Sequence, residues 1–563
     1  MAEQGSVLVG VGVGRGAVVG PVARAHPAPQ VPTSGAPAAD PEAAVGQVRA
    51  AFRAVAEALE ARAESSTGTI RDVLGATALM ARDTELSNSA AERIRSGTPV
   101  SLSVHQATAQ FVDLFTAAGG YLAERVTDLV SVRDRVIASL EGLPEPGVPA
   151  LTRPSVVVAE DLSPADTAAL DLGMVLGIVI EQGGPTGHTA IIAGQLGLPC
   201  VVRATEAKAL ADGDVVAVDA AAGTVTVGPD EATVARVEAR RTALAHLAED
   251  TGDGATADGH RVQLLANIGT AEDAERLTGV GVEGVGLFRT EVLFLGAATA
   301  PTEDAQAAVY GRALTALDGH KVVIRTLDAG ADKPLAFVTQ PGEENPALGV
   351  RGYRLVRTAE ELLTTQLTAI ARAAAATGGT PWVMAPMIAT VEEAAAFAAA
   401  ARAAGIATVG VMVEVPAVAL RARDVLAEVD FVSLGTNDLA QYTMATDRLR
   451  GELVDLLDPW QPAVLDLVAL TAEAGVEVGK PVGVCGESAS DPVMALALTG
   501  MGVTSLSMSP AAVPGVRFAL RRHSLETCRE VARVARSART AAEGRAAALA
   551  LVDPEVREVL ALG

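Results

Sequence analysis

At 563 residues the chain is long enough for three or four domains, each able to bury its own core. Its 44 Lys and Arg against 68 Asp and Glu give a net charge of -24, which argues against nucleic acid and anionic membrane surfaces as partners. Cys200, Cys485 and Cys528 are odd in number and lack CxxC spacing, so neither a disulfide framework nor a zinc cluster is expected, and a reducing cytoplasm fits. The opening MAEQGSVLVG has no basic n-region, and no 18-residue uncharged apolar run follows, so neither a signal peptide nor membrane insertion is expected.

Residues 5 to 22 read as short Val and Gly strands, broken by a Pro-, Ala- and Ser-rich stretch over 26 to 41. Val45, Val48, Phe52, Val55 and Leu59 then step by three and four, the mark of one buried helix face. Val104, Ala107, Phe111 and Leu114 repeat the step, and so does the run from Val126 and Leu129 to Ile137 and Leu140. These segments predict an antiparallel helical bundle that ends near LPEPGVPALTRP. Strand character returns at Val156 to Ala159 and Val175 to Ile180, and residues 215 to 219 and 224 to 227 read as a hairpin. The expected organisation is an α/β domain from residues 1-25 plus 145-229, interrupted by a helical domain over 26-144. A helical linker over 230-259 follows, its end rich in Gly, Asp and Thr.

From residue 260 to 563 the rhythm changes. Apolar strand candidates recur at VQLLANI, GVGLFR, KVVIRT, WVMAPM, TVGVMVE, DFVSLG, PVGVC and VTSLSM, separated by helical or mixed segments, which predicts a (β/α)8 TIM barrel. Barrels of this kind carry their sites at the C-terminal ends of the strands, where Arg289, Arg325, Glu414, Asn437, Asp438 and Cys485 fall.

Several motifs admit two readings. Gly12, Gly14 and Ala17 match a GxGxxA dinucleotide pattern, yet no helical pattern follows and no acid stands about twenty residues on, so a strand turn is preferred. No GxxxxGK[ST] loop occurs. In GGPTGHTAII a Gly-rich turn places His188 at the opening of a helix. The histidine there either caps a tight turn or carries phosphate, since a helix N-terminus binds phosphate and keeps an imidazole neutral and nucleophilic. Arg289, Arg325, Arg351 and Arg448 suit a small substrate bearing both carboxylate and phosphate. Glu414 and Asp438 could hold Mg²⁺ completed by water and substrate oxygens, or form ion pairs closing the barrel mouth. Cys485 lies between Gly483 and Gly486, which permits close approach of a ligand; a buried structural cysteine is the alternative.

Together these segments resemble enzyme I of the bacterial phosphoenolpyruvate-dependent sugar phosphotransferase system, over nearly the whole chain. GGPTGHTAIIA is similar to the phosphohistidine segment of that family, and VGLFRTEVLF, VIRTLDAGADK, ENPALGVRGYR, GVMVEVPA, SLGTNDLAQYTMATDR and GVCGE are similar to its barrel blocks, in order. The resemblance implies a swivelling α/β domain in which His188 is phosphorylated by phosphoenolpyruvate. It makes Cys485 the proton donor or acceptor at the substrate methylene carbon. Glu414 and Asp438 become ligands of a Mg²⁺ cofactor, and Arg289, Arg325, Arg351, Asn437, Asp438 and Arg448 line the substrate site. The inserted helices are expected to dock the phosphocarrier protein HPr, and the barrel to form a homodimer. Gly187 and Gly194 stand where relatives usually have Ser and Arg, and residues 128 to 131 read DLVS where relatives often show DVRD. Two alternatives are a pyruvate phosphate dikinase-like enzyme, for whose ATP-binding domain the chain lacks room, and a non-catalytic regulatory relative.

Overall fold

The computed structural model describes the chain except for residues 1-3, 15, 32-33, 65-68, 119-124, 163-165, 168-169, 172, 185-187, 278, 295-296, 298, 330-334, 336, 339-342, 449 and 563. It divides into two compact units, residues 1-242 and 243-563.

In the first unit, strands β1 (Val7–Val9), β2 (Val11–Val13), β3 (Ala17–Arg24), β4 (Ser155–Ala159), β5 (Val175–Ile180), β6 (Cys200–Val202), β7 (Val215–Asp219) and β8 (Thr224–Val227) form one sheet. Their order is β1-β8-β7-β3-β4-β5-β6-β2. The centre, β3 to β6, is parallel, and β7 with β8 make the expected antiparallel hairpin. Strand β6 has only three residues beside Pro199, too short to show a period, and went unseen in the sequence.

The connection from β3 to β4 carries helices α1 (Pro41–Glu64), α2 (Thr69–Ala81), α3 (Thr84–Arg95), α4 (Val100–Ala118) and α5 (Val126–Glu141). Helix α1 begins where the Asp40 carboxylate accepts from the backbone N–H groups of Glu42 and Ala43. It buries Val45, Val48, Phe52, Val55 and Leu59, each contributing about 1.5–3 kcal/mol on removal from water. Helix α5 stops at Gly142, whose φ of 66° allows the left-handed cap. Leu114 departs from the expected buried face. It is 56% exposed, because α4 turns that position away from the bundle core of Val104 and Ala107.

Helix α6 (His188–Leu196) follows β5, and helix α7 (Glu231–Glu249) follows the hairpin. Helix α7 begins at Asp230, whose carboxylate accepts from Thr233 N. Its first part belongs to the first unit, where Val237 packs with Ala17 and Ala217 and Arg240 pairs with Asp219 at 2.9 Å. Leu244 and Leu247, further along, pack on the core of the second unit.

That second unit is a closed parallel barrel of β9 (Gln263–Ile268), β10 (Gly284–Arg289), β11 (Lys321–Arg325), β12 (Trp382–Ala385), β13 (Thr408–Val413), β14 (Phe431–Leu434), β15 (Val482–Val484) and β16 (Ser505–Met508). All eight expected strands are present, and β16 closes on β9. Alternate residues face the helices, as Val432 and Leu434 do, or the interior, as Phe431 does. Among the described residues no helix is long and apolar enough to cross a membrane.

Candidate active site

The chemistry-bearing residues fall into two groups, one in each unit. In the second unit they ring the C-terminal mouth of the barrel. Arg289 and Arg325 are the last residues of β10 and β11, while Glu414 and Cys485 stand one residue past β13 and β15. Asn437 and Asp438 lie on helix α8 (Thr436–Thr443), which follows β14, rather than on the strand end itself. Arg351 and Arg448 come from loops, and both reach Asp438, at 3.0 and 3.4 Å.

Three acids, Glu291, Asp328 and Asp438, pair with three of the four arginines here. Buried Arg325 pairs with Glu291 at 2.6 Å and Asp328 at 3.2 Å. Arg351, also buried, pairs with Asp328 at 3.0 Å and takes the Tyr442 hydroxyl as a further acceptor at 3.3 Å. Burial alone would lower both guanidiniums, but these carboxylates outweigh it and raise them, so both remain charged. Arg289 differs. It is exposed at the mouth and its side chain makes no hydrogen bond or ion pair among the described residues. The surrounding barrel rim and the charge of Arg325 pull it below the ordinary guanidinium value, so an arriving anion would relieve it. Sequence reasoning missed Glu291 and Asp328, although both lie inside quoted motifs, because an acid two or three residues from an arginine reads equally well as surface charge.

Glu414 is fully buried. Its Oε1 accepts from Met387 N at 2.5 Å, and Oε2 has no hydrogen-bond partner. Burial, then the charges of Asp438 and Asp328, push its carboxyl up to about 8. Met387 holds a φ of 59°, rare for a bulky side chain, and so aims its N–H at this carboxylate. An orphaned buried carboxylate oxygen facing a second acid fits a cation. No cluster of three or more His, Cys, Asp or Glu suited to metal occurs among the described residues, so the donor set fits an ion that keeps water and substrate ligands, as Mg²⁺ does.

Asn437 Oδ1 accepts from Glu487 N at 3.1 Å, which holds the loop after β15. In that loop a side chain at Gly486 would collide with the Thr436 hydroxyl and backbone, so the glycine beside Cys485 is required. Cys485 is 2% exposed, its Sγ 3.6 Å from the Leu434 carbonyl.

In the first unit His188 opens α6, directly after β5 and the turn at Gly183, whose φ is 74°. The side chain of His188 and all of Gly187 lie outside the described residues. Thr189 is buried and donates to Leu162 O at 3.4 Å, anchoring the helix start. A Cβ at Gly194 would meet only Val13, at 3.8 Å, so no crowding demands glycine there. A cleft of about 1050 Å³ runs beside this segment, lined by Gly183, Gly184 and Thr189 on one side and Arg125, Asp128, Asp134 and Arg135 of the bundle on another. Within 128 to 131, Asp128 pairs with Arg125 at 2.9 Å and Ser131 accepts from Arg135. Arg135 continues to Glu145 at 2.9 Å and Asp166 at 2.6 Å, tying the bundle to the sheet domain.

A closed parallel barrel with arginines and acids at its mouth, preceded in the chain by an α/β sheet with inserted helices, fits the class of enzymes that use phosphoenolpyruvate. Three family models match in order: PEP-utilising enzyme, N-terminal, over residues 9–125; mobile domain, over 151–223; and PEP-binding domain, over 246–525. The chain is 50% identical to a phosphoenolpyruvate-protein phosphotransferase of Streptomyces coelicolor, over 98% of this chain and 100% of that one. It is 40% identical to a protein of the same name from Haloferax volcanii, over 82% of this chain and 83% of that one. A third, from Bacillus sp. (strain S), is 37% identical over 90% of this chain and 91% of that one. The chain belongs to the phosphoenolpyruvate-protein phosphotransferase family, enzyme I of the phosphotransferase system.

Proposed function

We propose that this protein moves the phosphoryl group of phosphoenolpyruvate onto His188 and then to a histidine phosphocarrier protein, HPr, in the cytoplasm. The observation that carries the barrel half of this reading is Arg289, a guanidinium at the mouth without a side-chain hydrogen bond or ion pair among the described residues, beside the buried Arg325. Phosphoenolpyruvate supplies the carboxylate and phosphate such a group takes bidentately. Glu414 and Asp438 would hold Mg²⁺, which when bound neutralises charge on the phosphoryl oxygens. The arginines fix the substrate, Asn437 keeps the loop bearing Cys485 in place, and Cys485 gives a proton to the methylene carbon of the leaving enolate, releasing pyruvate.

The imidazole at the start of α6 attacks phosphorus in line, and helix N–H groups favour the phosphate it receives. The carrier would dock on the bundle, where Leu79 at 70% and Leu114 at 56% exposure leave apolar side chains on α2 and α4 uncovered. A homodimer through the barrel belongs to the same reading. Incubation with labelled phosphoenolpyruvate, Mg²⁺ and purified HPr tests it: label should pass to HPr and pyruvate should form in equal amount. Pyruvate release without labelled HPr would overturn the carrier as acceptor.

A further inference from the structure

The barrel interior is apolar on one side and polar on the other. Leu287, Val323, Met384, Met412 and Phe431 make the apolar side, and Cys485 closes it. Around Cys485 stand hydroxyls instead. Ser433 faces inward from β14, since its neighbours Val432 and Leu434 both face the outer core. It is 5% exposed and pairs in register with Gly483 of β15. A Cβ at Gly483 would lie 3.8 Å from Ser433 Oγ, so no side chain of β15 separates that hydroxyl from Cys485, two residues on and on the same face. Beneath them a cavity of about 10 Å³, lined by Ser433, Gly483, Ser505 and Ser507, leaves the hydroxyl room to turn.

We propose that Ser433 is a positioning residue for Cys485, its hydroxyl donating to the sulfur and stabilising the thiolate left after proton transfer. The inference rests on the reading of Cys485 as the proton donor. In that step the S–H bond breaks and its electron pair stays on sulfur. The enolate π pair forms the new C–H bond, and the thiolate regains a proton from water once pyruvate has left. Without a donor, a thiolate buried just inside the barrel mouth, where Cys485 is 2% exposed, would be costly. Burial raises the thiol above its ordinary value, and the Ser433 hydroxyl is the largest influence opposing that rise. Arg325 from β11 and Arg289 from β10 act in the same sense as Ser433, while Glu414, after β13, opposes them. The thiol itself lies 3.6 Å from the Leu434 carbonyl, the acceptor that holds its proton between turnovers.

The test follows alkylation of Cys485 by iodoacetamide against pH in the full chain, with the modified peptide located by mass spectrometry. Cys200 and Cys528 are buried and pushed up to about 12, so they stay silent below pH 10. Ser433→Ala should move the Cys485 inflection up by about one pH unit and cut kcat about tenfold, leaving KM for phosphoenolpyruvate unchanged. Ser433→Gly serves as a second removal should the alanine variant not fold. Ser433→Thr, which keeps the hydroxyl, should retain the wild-type inflection. Ser505→Ala removes a hydroxyl on the far side of Gly483 and should leave both inflection and turnover unchanged. An unmoved inflection in Ser433→Ala, or an equal shift in Ser505→Ala, overturns the proposal. Wild-type turnover in Cys485→Ala would instead overturn the role of Cys485 as proton donor, and it is read independently of the titration.

Discussion

Lys321 opens β11, at the end of the barrel opposite the paired acids, with Nζ 3.9 Å from the centre of the Trp382 ring. Burial pulls its ammonium down to about 8 from 10.5. Between those values the unfolded chain holds a proton that the folded barrel does not, so folding stability rises with pH across that window. The cation over the Trp382 face offsets part of the cost. Lys321→Met should therefore stabilise the barrel at pH 7 by about 1–2 kcal/mol, an advantage that fades as pH climbs from 8 to 10.5. Urea denaturation at pH 7, 9 and 10.5 checks this, and an advantage that grows with pH would contradict it. His188→Ala, by contrast, should abolish labelling from phosphoenolpyruvate while calorimetry still records its binding with Mg²⁺. The proposed nucleophile and the proposed substrate ligands lie in different units, so one should be lost without the other.

Among elements, the strand pair at the start of the chain shows how a motif can be present for packing alone. A side chain at Gly12 would fall inside the carbonyl of Ala220, in the turn between β7 and β8. The GxGxxA pattern thus marks a place where two backbones touch, as the missing helical pattern after it implied. Gly12→Ala must displace that turn, and a loss of about 3 kcal/mol or more from the first unit is expected, the range of overpacked cores and strained backbones. Thermal unfolding should show an earlier first transition with the barrel transition unmoved. A single unshifted profile would show that the turn yields freely. The bundle carries the opposite lesson: α4 looks amphipathic through Leu114, yet that position points outward, because the apolar stripe of the helix is wider than the face its partners cover.

At the scale of the whole molecule, the two units have separate cores, and α7 serves both. Beyond it, Asp250 is held to the barrel by Arg521 and through its carbonyl by Arg517, so the end of the linker is fastened to the second unit. Every proposed substrate ligand lies after this point and His188 before it, so turnover would use rigid-body movement about the linker. A fragment ending near Asp250 should fold alone and accept phosphate from phosphorylated HPr, yet take no label from phosphoenolpyruvate. The separated barrel should bind phosphoenolpyruvate with Mg²⁺ and transfer nothing. Labelling of the first fragment by phosphoenolpyruvate would refute this division of labour.

The barrel strands, the first bundle helix and the β7–β8 hairpin were legible from periodicity alone, because burial on one face or two leaves a pattern of 3.6 or 2 in the chain. Arg289, Arg325 and Glu414 were legible too, since they stand at or just past strand ends, whereas Glu291 and Asp328 were not. What the sequence could not supply is which charges meet. The pairing of Arg351 with Asp328 and Asp438 joins positions 23 and 87 residues apart, and Met387, 27 residues before Glu414, donates to one of its oxygens while the other has no partner. The inward turn of Ser433 toward Cys485 likewise depends on β14 lying beside β15 with glycine between. Periodicity records what each residue does relative to its own element. Pairing, exposure and protonation depend on neighbours brought in from distant parts of the chain, and those were decided only when the barrel closed.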